Sequence, residues 1–136
     1  MRLILLGIFG GICCSFLLIA APSEEDTLVV TAGQKWLSLV DDQKYEESWI
    51  QASSGFRNQV TQEQWVAALR RSREPLGAVM SRNPSRLDYP KSLRGAPDGN
   101  YAVIHFMTSF SSKTATERLT LIKEDGKWQM AAYGIY

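Results

Sequence analysis

Cysteine is almost missing from this chain: there are two, Cys13 and Cys14, both inside an N-terminal apolar run. With that run removed no thiol remains for a disulfide, a thiolate nucleophile or a cysteine-ligated metal. The fold must then rest on a hydrophobic core, which about 110 residues can supply. Histidine is scarcer still. His105 stands alone, so a histidine-based metal site has no partners, and carboxylate-only calcium loops are also lacking. There is no Gly-x-Ser-x-Gly elbow for a serine nucleophile. No metal and no cofactor are expected. Repeats, low-complexity tracts and linkers are absent too, which predicts one domain over residues 24–136.

Net charge is another absence. Without Arg2 the chain carries 14 basic and 14 acidic residues, which gives no general pull toward nucleic acid. The distribution is uneven, with an acidic stretch from Glu24 to Glu47 and a basic one from Arg70 to Arg94. A basic stretch attracts nucleic acid or anionic lipid; compensation by the acidic helices beside it is the better reading. No nucleic-acid partner is expected.

What the sequence does have begins with residues 1–23. Arg2 precedes an apolar run from Leu3 to Ala21, which ends in small residues before Glu24-Glu25-Asp26. A basic start, an apolar middle and a small-residue exit describe a secretory signal peptide. The run is also long enough for an uncleaved anchor, but Gly7, Gly10 and Gly11 favour cleavage. A lipoprotein signal is disfavoured because Ile12 precedes Cys13. The protein is therefore expected to be exported, periplasmic or secreted. The alternative is an inner-membrane protein anchored by residues 3–21, the one route to a membrane.

The first half of the domain reads as helices. Leu28, Val29, Ala32, Trp36 and Val40 share one helical face, with Ser23, Asp26 or Thr27 as its cap. Asp41 to Lys44 interrupts, and Tyr45, Trp49 and Ala52 continue as far as Ser53-Ser54-Gly55. Thr61 and Gln64 have capping-box spacing before the face of Trp65, Ala68, Leu69 and Ser72. Pro75 and Gly77 end that helix.

The second half reads as strands. Asp125-Gly126 is a two-residue hairpin turn. With Glu124 opposite Lys127, Leu121 pairs with Met130 and Leu119 with Ala132, and Trp128 joins their face. Arg118, Thr120, Ile122, Gln129, Ala131 and Tyr133 take the other face. In the strand from Asn100 to Phe110, the even positions Ala102, Ile104, Phe106 and Phe110 look inward. A first strand runs from Ala78 to Arg82 and resumes at Ser85 to Tyr89, with Pro84 at an edge or bulge. The fold class is α+β: N-terminal helices packed on one face of a curved antiparallel sheet of about four strands.

Trp36, Tyr45, Ser48-Trp49, Gln64-Trp65, Arg73-Glu74-Pro75-Leu76-Gly77 and Ser81-Arg82 recur in a recognisable order. Pro97-Asp98-Gly99-Asn100-Tyr101, Phe106 and Asp125-Gly126-Lys127-Trp128 follow, leading to Tyr133. The pattern, over about residues 30–136, resembles the domain of unknown function family 4019, a group of small exported bacterial proteins. The resemblance implies a cone-like fold of the nuclear-transport-factor-2 type. It carries no catalytic residue across.

Two sets of site residues follow. Trp36, Trp49, Trp65 and Trp128, with Arg73 and Arg82 beside the Pro-Leu-Gly turn, are candidates to line a ligand cavity. The structural alternative makes the tryptophans core and pairs the arginines with acids such as Asp41 or Asp42. Tyr101, Val103, His105, Met107, Ile122 and Tyr133 are expected on the outer sheet face, which is apolar enough to pair two subunits. No catalytic residue is expected, because His105 points away from the helices. The interior offers no ionisable group except, near the first strand, Asp88 and Tyr89. The leading function is a non-enzymatic binding or accessory domain of the bacterial envelope. The alternatives are a cone-type enzyme using carboxylate, tyrosine or arginine chemistry, and a structural homodimer without ligand.

Overall fold

A computed structural model describes residues 20–136. Most of the expected leader, with Cys13 and Cys14, lies outside the described residues. Helix α1 (Glu24–Asp41) starts at Ser23, whose hydroxyl accepts from the Asp26 amide while the Asp26 side chain accepts from the Ser23 amide. Glu24, Glu25 and Asp26 also set negative charge at the positive end of the helix dipole. Its buried stripe is Val29, Gly33, Trp36, Leu37 and Val40. No helix among the described residues is long and apolar enough to cross a membrane.

Helix α2 (Tyr45–Ile50) ends in a turn that the sequence reading treats as a break. There Ser53 caps a further short helix, α3 (Ser54–Gln59), by accepting from the Phe56 amide. The Ser53 amide donates to the Met130 carbonyl at 2.8 Å. Helix α4 (Gln62–Ser72) carries the expected capping box of Thr61 and Gln64 and is followed by a 3₁₀ turn (Glu74–Leu76).

Strands β1 (Val79–Asp88), β2 (Tyr101–Phe110), β3 (Thr114–Glu124) and β4 (Lys127–Ile135) form an antiparallel meander in the order β1-β2-β3-β4. The helices precede the antiparallel sheet in the chain, so helices and strands are segregated and the class is α+β. Irregularities at Met80 and Ser85 in β1 and at Ala131 in β4 break the register. Such bulges bend a strand and raise its twist, so the sheet is curved. The positive φ angles of Asp125 and Gly126 confirm the expected hairpin turn.

The bulge at Ala131 corrects the hairpin register. Leu121 does pair with Met130, but Leu119 pairs with Tyr133 and Thr120 with Ala132. One extra residue turns Tyr133 from the outer face to the helix-covered one, because side chains alternate with period two. Tyr133 is therefore no part of an outer dimer face. Tyr101 and Val103 point outward as expected, yet both are buried within the single chain; the Tyr101 hydroxyl donates to the Pro97 carbonyl at 2.7 Å. Of the expected pairing surface, His105 and Ile122 are half-buried and Met107 is exposed.

The apolar side chains under the sheet form two clusters. The larger joins Val29, Trp36, Leu37, Trp65 and Leu69 to Ile104, Phe106, Leu119, Leu121 and Met130. The smaller holds Leu76, Phe110 and Ala115, flanked by Val79 and Ile135. Gly77 links the 3₁₀ turn to β1 with φ 78° and ψ −157°, a region that only glycine adopts freely. A Cβ there would lie 2.0 Å from Ser111 Oγ. Gly77→Ala is expected to lower stability by about 1–3 kcal/mol from the backbone alone, measured by urea denaturation; an unchanged midpoint would contradict this geometry.

Candidate functional site

Between the two apolar clusters lies a band of polar side chains to which every strand contributes. Arg82 comes from β1, Thr108 from β2, Glu117 from β3 and Tyr133 from β4. Asp41 from the end of α1 and Arg73 from the end of α4 complete it. Glu117 is fully buried. Arg82 Nε donates to Glu117 Oε2 at 2.6 Å and Nη2 to Oε1 at 3.1 Å. Thr108 Oγ1 donates to Oε2 at 2.5 Å, and the Tyr133 hydroxyl makes a short hydrogen bond to Oε1. Both carboxylate oxygens thus accept two hydrogen bonds each.

The outward edge of Arg82 is also committed. Nη1 and Nη2 donate to Asp41 at 2.6 and 3.0 Å. Asp41 accepts as well from Arg73 Nη2 at 3.2 Å, while Arg73 Nη1 donates to the Gly77 carbonyl at 2.6 Å. The Arg73 guanidinium sits 4.6 Å above the Phe110 ring, a cation–π contact. Two cations face two anions, so the band is neutral. Burial on its own would lower the pKa of Arg82, but the hydrogen bonds and charges of Asp41 and Glu117 prevail and raise it. Burial, then the charge and hydrogen bond of Glu117, raise the Tyr133 phenol well above its usual value.

The interior therefore does contain an ionisable group, contrary to the expectation from sequence. Glu117 lies on the Leu119 and Leu121 face, so strand alternation alone points it inward. The two side chains expected there lie elsewhere. Asp88 pairs with Arg86 on the outer face, and Tyr89 is exposed and donates to Asp26 at 2.6 Å. Chemically the band is closed: a general base needs a free lone pair, and both Glu117 oxygens are fully engaged.

Open space lies at the other end of the sheet. A groove of about 590 Å³ runs between α1, the end of α2 and the β3–β4 hairpin. Trp36, Leu121, Met130 and Trp128 line it. Leu28 and Ile50 stand beside them with 53% and 56% of their surface exposed. Lys35, Lys123 and Lys127 line it too, against a single carboxylate, Glu25. Glu25 accepts from Lys123 Nζ at 3.2 Å and from Trp128 Nε1 at 3.0 Å. Lys35 and Lys127 form no salt bridge among the described residues.

A family described as "Protein of unknown function (DUF4019)" matches residues 32–133. The chain belongs to that family. No curated protein matches it. The match spans the tryptophans and the Arg-Glu-Pro-Leu-Gly run noted in the sequence, and it brings no activity with it.

The candidate ligand set of this DUF4019 chain is divided by the structure. Trp36 and Trp128 meet in the groove. Trp65 is buried core and Trp49 packs against it, its Nε1 donating to the Val60 carbonyl at 2.7 Å. Trp36 and Trp65 both spend their N–H groups on Ser48, each at 2.9 Å. Arg73 and Arg82 belong to the polar band, paired with Asp41 as the structural alternative holds. His105 lies on the outer face opposite Arg86 and Arg118. Among the described residues no cluster of histidine, cysteine or carboxylate side chains is arranged to hold a metal ion.

Tyr133 supplies a test. The unfolded chain ionises its tyrosines near pH 10, whereas folded Tyr133 keeps its proton to higher pH. A raised folded-state pKa gives stability that is complete below pH 10 and falls as pH rises beyond it. In urea denaturation the wild type is expected to lose stability between about pH 10 and 12. Tyr133→Phe should be less stable at pH 8 but show a shallower alkaline decline, the remainder coming from Tyr89 and Tyr45, whose phenols are also raised. Equal slopes would contradict the Glu117 contact.

Proposed function

We propose that the protein is a non-catalytic binding domain of the bacterial envelope, and that the groove between α1 and the β3–β4 hairpin receives a small amphipathic molecule. The observation that carries this reading is the apolar lining: Leu28 and Ile50 stay exposed beside Trp36, Leu121 and Met130. Apolar side chains gathered at a concave surface gain free energy when a ligand covers them, about 25 cal/mol per Å² removed from water. The three lysines favour an anionic head group. The leader-like residues 1–23 support export, and helices on a curved sheet support a cone of the nuclear-transport-factor-2 type.

The catalytic alternative calls for carboxylate, tyrosine and arginine side chains around a cavity. Those residue types do assemble, but as the saturated band, in which no oxygen of Glu117 remains to take a proton from a substrate. The chemistry favours binding.

Titration of the purified protein with decanoate, followed by tryptophan emission, tests the proposal. Trp36 and Trp128 should report binding, and Ile50→Asp, a change at an exposed position, should weaken it by about tenfold or more. No emission change at millimolar decanoate, or equal affinity in the variant, would overturn the reading.

A further inference from the structure

The sheet face turned away from the helices carries a second concavity, of about 510 Å³, between the segment 93–97 and the turn that opens α3. Thr120, Ala131 and Ala132 are among the small side chains lining it, with Ile122 and Phe56 adding apolar surface. Two arginines, Arg94 and Arg118, also line it, and neither forms a salt bridge among the described residues. The one carboxylate present, Glu124, is already engaged: it accepts from the Ser54 amide at 3.2 Å and from the Ser54 hydroxyl at 2.8 Å.

Arg118 also ends a row. Arg86, His105 and Arg118 are direct cross-strand partners on β1, β2 and β3. The two arginines thus flank His105 on either side. Among the described residues the row's one ion pair is the exposed one between Arg86 and Asp88, and exposed pairs contribute little. His105 Nδ1 is buried with no hydrogen-bond partner among the described residues, an uncompensated cost. An oxyanion at this end of the groove meets the unpaired guanidinium of Arg118, since guanidinium groups hold carboxylate or phosphate through paired N–H donors.

We propose that this outer groove is a second binding site, independent of the groove under α1. It takes a small molecule with an oxyanion head, phosphate or carboxylate, against Arg118 and Arg94, and an apolar body along Ile122 and Phe56. Charge complementarity selects the occupant: positive charge without a carboxylate partner lines the groove, and its lone carboxylate is committed to a helix cap. No tryptophan lines the groove, which separates its optical signature from that of the α1 groove.

Calorimetric titration with octyl phosphate, octanoate and inorganic phosphate tests the site. Octyl phosphate, octanoate or both should bind, which also tells the two head groups apart. Arg118→Glu and Arg94→Glu, both at exposed positions, should each weaken that binding by about tenfold or more, whereas Ile50→Asp should leave it intact. Tryptophan emission should stay constant. The proposal is overturned if no probe binds at millimolar concentration, or if both charge reversals leave affinity unchanged. It is also overturned if Ile50→Asp abolishes binding, or if inorganic phosphate binds as tightly as octyl phosphate.

Discussion

A carboxylate removed from water inside a small domain is costly, several kcal/mol even after relaxation. Glu117 bears that cost in the middle of the sheet, and the surrounding architecture follows from how it is met. Two oxygens require four donors, and these come from β1, β2 and β4 through Arg82, Thr108 and Tyr133. The remaining N–H donors of Arg82 are met by Asp41, the last residue of α1. Asp41 in turn holds Arg73 at the end of α4. One buried charge thus ties both long helices to all four strands. Its partners also fix directions that apolar contacts would leave loose, because each donor must meet a particular oxygen.

The same band divides the interior. Above and below it lie the two apolar clusters, and Tyr133 joins the polar part to the larger one. Its hydroxyl reaches Glu117, while its ring packs edge-on against Trp36 and Trp65, with centroids 5.5 and 6.4 Å apart. Such aromatic contacts add modestly to the area they bury. With the middle of the domain filled in this way, open space is left at the hairpin end and on the outer face. The band supports the fold, and the grooves meet solvent.

Much of this was legible in the residues. The capping box at Thr61, a cap among Ser23, Asp26 and Thr27, the helical face of Val29, Trp36 and Val40, and the turn at Asp125-Gly126 all depend on neighbours in sequence, and the structure follows them. The α+β order and inward Leu119, Leu121 and Phe106 followed from alternation. What escaped was set by distant contacts. The bulge at Ala131 has no local signature, yet it reverses Tyr133 and so changes which side chains share the interior. Helix α3 hides behind Ser53-Ser54-Gly55, which reads as a stop although Ser53 is a cap. Glu117 was within reach, because it alternates with Leu119; only the assumption that inward residues are apolar concealed it. The grooves depend on how the chain from Leu93 to Pro97 and the β3–β4 hairpin lie against other elements, which no spacing encodes.

A double-mutant cycle on Arg82→Met and Glu117→Leu measures the clasp most directly. Arg82→Met leaves the buried Glu117 carboxylate without its cation, at about 3–5 kcal/mol; Glu117→Leu leaves Arg82 to Asp41 alone; the double change removes both partners together. If the pair acts as described, unfolding free energies will show the double variant more stable than the sum of the single losses by more than about 1 kcal/mol. Losses that simply add would mean that Glu117 and Arg82 do not depend on one another, and the account of the fold would fail with them.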